Sequence, residues 1–292
     1  MSSKHADTIS PGTLLIIATP LGNADDLSPR ARKLLAEIDC LYCEDTRNTS
    51  NLLKYLGIPC KELRSLHSHN EDKRIQEILH RLQSGDRIGL CSDAGTPAIS
   101  DPGSKVTAAV FEAGFRVSPI PGPSAPAALL SASGFPSHTY TFLGFLPKTS
   151  GPQRKILAQN LSPGSVVVAF VPARDVRDVV RLAADIQPDA IALMGRELTK
   201  EFEELLRLPV VELADELDHH ENLRGEVSLA FWTPPSKKAE VSPETEERIR
   251  TAAKAMLAGG LSRRDTQRIL GELTGQPKRW VLALILALDG DE

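Results

Sequence analysis

Cysteine is scarce in this sequence: four residues among 292, at positions 40, 43, 60 and 91. With a polar opening from Met1 to Ser10 that shows no leader pattern, so few thiols exclude a disulfide scaffold and suit a reducing, cytoplasmic compartment. Long apolar runs are missing as well. Nothing approaches the roughly 18 consecutive residues a membrane-spanning helix requires, so no membrane partner is expected. Positive charge is not in excess either. A net charge of -4 excludes a surface built throughout to coat nucleic acid and leaves room only for a local basic patch. The glycine-rich phosphate motifs G-x-G-x-x-G and G-x-x-x-x-G-K-[ST] have no match in the strand-ending loops, which argues against dinucleotide and nucleoside-triphosphate chemistry.

Cys40 and Cys43 form a C-x-x-C that would suggest a metal or redox pair if both thiols faced one way. The segment Asp39 to Glu44 reads as a strand, in which residues three apart point to opposite faces. No second cysteine pair or spaced histidine pair completes a tetrahedral set, so both thiols are assigned to the core and no metal is expected.

What the chain does have is alternation. Thr13 to Ala18 is a short branched apolar run ended by Thr-Pro-Leu-Gly-Asn, and Ser28-Pro29 opens a helix to Glu37 with a cap and a first-turn proline. Strands are read at Cys40 to Cys43, Arg87 to Cys91 and Phe115 to Pro119. Helices are read up to Tyr55, from Glu71 to Gly85, from Gly103 to Ala113 and from Ser124 to Ser133. This alternation predicts an α/β fold with a largely parallel, doubly covered sheet. A boundary near Gly134 to Thr139 separates it from a second set: strands Tyr140 to Phe145, Val166 to Val171, Ala190 to Met194 and Val227 to Trp232. Helices near Arg174 to Ala184 and Val211 to Leu217 lie between them, and a Lys/Gly/Pro loop runs through Pro152.

From Pro234 to Val241 the periodicity lapses. Ser242-Pro243-Glu244 then opens a helical tail with breaks at Gly259-Gly260 and Gly275-Gln276-Pro277 and a capping-box-like Ser262 to Asp265. The expected division is therefore 1–135, 136–235 and a helix-turn-helix-like tail at 242–292. The apolar stripe Val281, Leu282, Leu284, Ile285 and Leu288 packs either within that tail or on a second subunit.

In an open parallel sheet, ligands bind where loops leave the carboxyl ends of the strands. Three Gly/Pro-rich loops occupy that position: Thr19 to Asn23, Ser92 to Pro97 and Pro121 to Ala125. Each offers main-chain amides and carbonyls with little side-chain bulk, a floor suited to an adenosine and an amino-acid group. Taken singly, each is an ordinary strand-to-helix turn.

Together they are more specific. The ordered set Ala18-Thr-Pro-Leu-Gly-Asn23, Glu44-Asp-Thr-Arg47, His67-Ser-His-Asn70, Ser92-Asp-Ala-Gly-Thr-Pro-Ala-Ile-Ser-Asp-Pro-Gly103, Pro121-Gly-Pro-Ser-Ala125 and Arg196-Glu-Leu-Thr-Lys200 resembles the ribosomal RNA small subunit methyltransferase I family, of the tetrapyrrole methylase superfamily. The resemblance covers nearly the whole chain. It implies two α/β domains with the cofactor cleft between them, S-adenosylmethionine as cofactor, and a homodimer. It also implies methylation of the ribose 2′-oxygen of a cytidine in the decoding region of 16S rRNA, within the small ribosomal subunit. Cofactor contacts implied by the resemblance fall on Pro20, Asp93, Ala94, Gly95, Thr96, Ile99, Ser124 and Ala125, and in the second domain on Phe170 and Leu198. The chain also departs from the family. Where an aromatic residue is usually followed by Glu-Ser-Pro-His-Arg, it has Phe170-Val-Pro-Ala-Arg-Asp175, without the carboxylate and the histidine.

A ribose hydroxyl needs its proton shared before it attacks, so a carboxylate or neutral histidine within reach serves as general base. Glu44, Asp45 and Asp93 are the catalytic candidates, with His67 and His69 behind them; the competing assignment for each carboxylate is a helix cap or a partner for Arg47. RNA contacts are expected from Arg47, His67, His69, Asn70, Lys148, Arg154 and Lys155, with Lys54 and Arg74 nearby. In the tail, Arg263, Arg264, Arg268, Lys278 and Arg279 offer an auxiliary grip or a merely solvated face. Two rival readings stay open. A tetrapyrrole C-methyltransferase would keep the cofactor and change the acceptor, against which Glu44 to Arg47 and the helical tail speak. A non-catalytic RNA-binding assembly factor is motivated by the altered Val171 to Asp175 segment.

Overall fold

The structure, a computed structural model, describes residues 10–220, 223–235 and 242–288, without the side chains of Pro243 and Lys278. Most of the expected linker, and the Lys278 contact, lie outside the described residues. The chain divides into two compact units, the first ending at Pro234 and the second beginning at Pro235.

The first sheet contains β1 (Thr13–Ile17), β2 (Cys40–Cys43), β3 (Leu63–Ser65), β4 (Arg87–Leu90) and β5 (Arg116–Ile120), in the order β3-β2-β4-β1-β5. All its pairings are parallel. Helices α1 (Pro29–Glu37), α2 (Thr46–Tyr55), α3 (Glu71–Gln83) and α4 (Ser104–Glu112) make the crossovers that parallel strands require. Ser28 begins α1 as its sequence suggests, the hydroxyl accepting the Ala31 N–H at 3.1 Å. Helices α1 and α2 bury Leu34, Leu35 and Leu53 on one face of the sheet. Helices α3 and α4 bury Ile78, Leu82, Val106 and Val110 on the other. The two thiols of C-x-x-C separate accordingly: Cys43 belongs to the first face and Cys40 to the second. Burial pushes the Cys40 thiol up to about 12 and the Cys43 thiol up to about 11, so both stay protonated and inert.

Strands β1 and β4 are neighbours, yet the connection after β1 runs toward β2 while that after β4 runs the opposite way toward β5. Their connections leave to opposite faces of the sheet, one into α1 and the other into α4, which makes this carboxyl edge the switch-point crevice at which doubly wound sheets bind ligands.

The second sheet is mixed. It contains β6 (Thr141–Phe145), β7 (Val166–Pro172), β8 (Ile191–Arg196), β9 (Glu204–Pro209) and β10 (Glu226–Trp232), in the order β6-β7-β10-β8-β9. Only β6 and β7 pair in parallel; β10 and β9 run antiparallel to their neighbours. Helices α6 (Ser150–Asn160), α7 (Val176–Ile186) and α8 (Val210–His219) cover one face around Val167, Ala169, Val171 and Leu213. The other face is covered by α5 (Ala125–Ser133), which leaves the end of β5 and buries Leu129 and Leu130 against Val166, Val168, Leu193 and Ala230. One helix thus leaves the first sheet and seals the second.

Three elements were not evident in the sequence. Helix α6 replaces the loop expected through Pro152, because Gly151 and Pro152 sit in its first turn, where a missing N–H costs nothing. Strand β3 has only three residues, and β9 is an edge strand of alternately half-buried and exposed residues.

The tail, described by itself, has helices α9 (Pro243–Ala258), α10 (Arg263–Thr274) and α11 (Lys278–Ala287). They pack on Ile249, Ala253, Leu270, Val281, Leu284, Ile285 and Leu288. The apolar stripe of α11 is thus turned inward within the tail, except for the exposed Leu282. Ser262 caps α10 by accepting the Asp265 N–H at 3.1 Å and donating to its carboxylate at 2.6 Å. Among the described residues no helix is long and apolar enough to cross a membrane.

Candidate active site

The loops after β1 and β4 are joined by main chain. The Thr19 N–H donates to the Gly95 carbonyl at 2.9 Å and the Gly95 N–H returns to the Thr19 carbonyl at 3.1 Å, an isolated antiparallel bridge. The Thr19 hydroxyl adds a bond to the Ser92 carbonyl at 3.0 Å. Thr96 ties this pair to the third loop, its hydroxyl donating to the Pro123 carbonyl at 2.9 Å. A Cβ on Gly122 would lie 2.9 Å from the Ala18 side chain, so the third loop passes the first at a distance only glycine permits. The three loops form one floor.

The second sheet meets this floor through Arg196-Glu-Leu-Thr-Lys200. The Asn23 N–H donates to the Thr199 hydroxyl at 3.1 Å, and a Cβ on Gly22 would strike the Lys200 side chain at 2.1 Å. Glu197 holds the segment in shape, its Oε1 accepting from the Glu226 N–H at 2.8 Å and from Lys200 Nζ at 3.0 Å. Among the described residues, four that are not glycine have a left-handed φ: Ala98, Ser100, Glu197 and Thr199. Two lie in the loop from Ser92 to Gly103 and two in the segment from Arg196 to Lys200. Each such conformation costs on the order of 1–3 kcal/mol and persists only where the surroundings impose it, a pattern concentrated at ligand clamps.

The loop from Ser92 to Gly103 is fastened at its far end by Glu71. This carboxylate is buried, and its Oε1 accepts the Gly103 N–H at 3.0 Å and the Lys105 N–H at 3.1 Å, capping α4 across space. Replacing Glu71 by alanine leaves one buried and one half-buried N–H without their acceptor and is expected to cost about 2–3 kcal/mol, read as a fall in urea midpoint at unchanged slope. Glutamine, which can still accept, should recover most of it.

Around the crevice stand the carboxylates. Asp45 caps α2, accepting the Arg47 N–H at 2.8 Å and pairing with its guanidinium at 2.8 Å; that hydrogen bonding holds the carboxyl down at about 2. Asp93 is engaged on both oxygens, one accepting the Asp45 N–H at 3.1 Å and the other the Asn48 side chain at 2.8 Å. Glu44 differs from both. Among the described residues none hydrogen-bonds to it; desolvation first, then the nearby Asp93, raises its carboxyl, against an opposing pull from His67.

The sequence did not single out Asp101. Desolvation and the charge of Glu44 raise its carboxyl to about 6, while the Ser92 hydroxyl favours its ionised form. The charge of Glu44 thus adds to burial in disfavouring the ionised form of Asp101. Its only sequence signal was its place in the Ser92 to Gly103 string, since the neighbourhood arises from tertiary contact.

The remaining positions divide. Pro20 is buried in the floor, Ala94 and Thr96 are half-buried within it, and Ile99 is exposed. Ser124 precedes α5 without capping it, and Ala125 is the first residue of that helix. Phe170 lies within β7 beside β6, and Leu198 packs beside α5. His67 is half-buried just beyond β3, its buried Nδ1 without a hydrogen-bond partner among the described residues, and its ring lies 6.0 Å from that of the exposed His69. Asn70 serves the same turn, accepting the His67 N–H at 2.9 Å. Lys148 is exposed just beyond β6. Arg154 and Lys155 stand on α6, on the face away from α5, and Arg154 pairs with Asp185 at 3.3 Å. The structure therefore gathers Glu44, Asp45, Arg47, Asp93 and His67 at one edge and sets Arg154 and Lys155 apart from it. Two depressions open there. One of about 190 Å³ is lined by Thr19, Pro20, Asn48, Ser92 and Asp93; an open groove of about 860 Å³ runs past Gly22, Asn23, Tyr55 and Thr199.

Comparison with known proteins agrees with this architecture. The family described as Tetrapyrrole (Corrin/Porphyrin) Methylases matches residues 13–214. A Xylella fastidiosa protein named ribosomal RNA small subunit methyltransferase I is 39% identical over 92% of this chain and 97% of its own length. A protein of the same name from Escherichia coli O157:H7 is 35% identical over 99% of this chain and 100% of its own. Among solved structures, that of a cobalamin biosynthetic enzyme, cobalt precorrin-4 methyltransferase, shares the fold with a TM-score of 0.55 at 17% identity, over 75% of this chain and 94% of that one. The chain belongs to the tetrapyrrole (corrin/porphyrin) methylase family and, within it, to the ribosomal RNA small subunit methyltransferase I group of methyltransferases.

Proposed function

We propose that this protein methylates the ribose 2′-oxygen of a cytidine in the decoding region of 16S rRNA, using S-adenosylmethionine, within the small ribosomal subunit. The observation that carries the reading is the main-chain bridge between Thr19 and Gly95, which makes a floor of small residues at the switch point between β1 and β4. The residues fit the cofactor: Gly95 at a φ of +80° and the close pass at Gly122 keep side chains off a cradle bordered by Pro20, Ala94, Thr96, Ser124 and Ala125. Residues 136–235 close over it with Phe170 and Leu198. When bound, S-adenosylmethionine supplies an electrophilic methyl group.

The chain's own tasks are to align the acceptor hydroxyl, exclude water and take up its proton. Alignment alone is worth effective molarities of about 10⁵ M or more. For the proton, Asp45 and Asp93 are engaged by hydrogen bonds and fix the loop, whereas Asp101, raised to about 6 by burial and by the charge of Glu44, is poised to accept it, with Glu44 beside it. Arg47, His67, His69, Asn70 and Lys148 border the entry for RNA, and Arg154 and Lys155 would meet only RNA that wraps onto α6. A homodimer in the cytoplasm completes the reading.

The test offers labelled S-adenosylmethionine together with undermethylated small subunits, naked 16S rRNA or a reduced tetrapyrrole. Label in RNA supports the proposal; label in the macrocycle alone, or in none of the three, rejects it.

A further inference from the structure

In a regular strand Phe142 and Phe145, three residues apart, would face opposite sides of the sheet. They do not. The register of β6 on β7 shifts between these two residues, and Gly144 within the shift has a left-handed φ of +64°. Leu143 and Leu146 turn toward the α6 and α7 face, while both phenylalanine rings meet Phe170, with centroids 5.0 and 5.2 Å away. A bulge of this kind re-aims a side chain. What it aims here is an apolar ring into solvent: Phe145 is 62% exposed. The bulge thus leaves one face of the ring in solvent while Phe170 holds it from the other side.

The position of the ring is informative. A Cβ on Gly144 would lie 2.6 Å from the Ser100 hydroxyl, so the bulge presses on the loop that carries the floor and Asp101. Because β6 and β7 are parallel, the residues beyond them emerge at the same end: Lys148, exposed, and Arg174, whose side chain is 77% exposed beside Asp175. An aromatic face flanked by cations at the rim of a cleft suits an unstacked nucleobase, with its phosphates on the basic side chains.

We propose that Phe145, braced by Phe170, is a stacking platform for a nucleobase of the single-stranded RNA that enters the cleft. This rests on the reading of rRNA as substrate. Full-length wild type, Phe145→Leu and Phe145→Trp are titrated with naked 16S rRNA and with undermethylated small subunits, and separately with S-adenosylmethionine by calorimetry. Base stacking of about 1–3 kcal/mol corresponds to a 5- to 150-fold weakening of RNA affinity in the leucine variant. Cofactor affinity and sedimentation should be unchanged, and tryptophan should retain RNA binding. Unchanged RNA affinity in the leucine variant would overturn the proposal. So would an equal loss of cofactor affinity, which would assign the ring to the cofactor, or a shift in sedimentation, which would assign it to a subunit interface. Wild type that binds no RNA would instead defeat the underlying reading, and this proposal with it.

Discussion

Replacing Gly95 by valine is expected to weaken binding of S-adenosylmethionine by at least about 100-fold and to abolish methyl transfer, since calorimetry would find no cradle left to fill. Two effects combine. Gly95 has a φ of +80°, a region that a β-branched residue avoids, and its would-be Cβ already lies 3.2 Å from the Leu21 side chain and 3.7 Å from the Pro123 carbonyl. The bridge to Thr19 holds both main-chain groups of Gly95, so the loop cannot turn aside to make room. Gly114→Ala is the control for backbone strain alone. Its φ is +77° and nothing lies within 4 Å of the added Cβ, so it should lose some stability and keep the cofactor.

The second large effect is expected at Asp101. As general base its contribution is about 10²- to 10⁴-fold, and Asp101→Asn should lower kcat by that factor while leaving cofactor affinity intact. The wild-type rate should fall as pH drops through about 6, where the carboxylate takes up its proton, and the variant should lack that limb. Stability should move the other way. Burial raises the folded-state carboxyl above its unfolded value, so above pH 6 the fold bears the cost of an ionised, poorly solvated group. As pH falls from about 6 toward 4 the folded state binds the proton first and the cost disappears. Asparagine removes the charge at every pH. The variant should therefore be more stable than wild type at pH 8, by at most about 2–3 kcal/mol, with the gain fading below pH 6. A stability gain with retained activity would show that Asp101 is merely buried.

Where the sequence was informative, the signal was local. Branched apolar runs ended by Gly/Pro turns marked β1, β4 and β5 with their loops, and the spacing of Cys40 and Cys43 placed the two thiols on opposite faces of β2. Serine caps were equally legible at Ser28 and Ser262. What stayed hidden depends on contact between distant segments. Helix α6 was obscured by Gly151-Pro152, residues that break a helix in its interior and are tolerated in its first turn. The raised carboxyl of Asp101 comes from tertiary burial and from a neighbour 57 positions away in the chain, and the left-handed residues 98, 100, 197 and 199 are imposed by packing that no residue type announces. Gly144 carried a readable sign, since an isolated glycine in a strand pattern marks a bulge, but its consequence for Phe145 needed the register of β7.

The central claim concerns where the methyl group goes, and the chemistry of RNA offers a direct readout. Alkaline cleavage of RNA uses the 2′-hydroxyl, so a methylated ribose leaves one gap in the hydrolysis ladder. Undermethylated small subunits treated with this protein and S-adenosylmethionine should yield 16S rRNA with a single new gap, at a cytidine of the decoding region, absent when Gly95→Val replaces the wild type. A full ladder from RNA that has incorporated label would place the methyl group on a base and contradict the account.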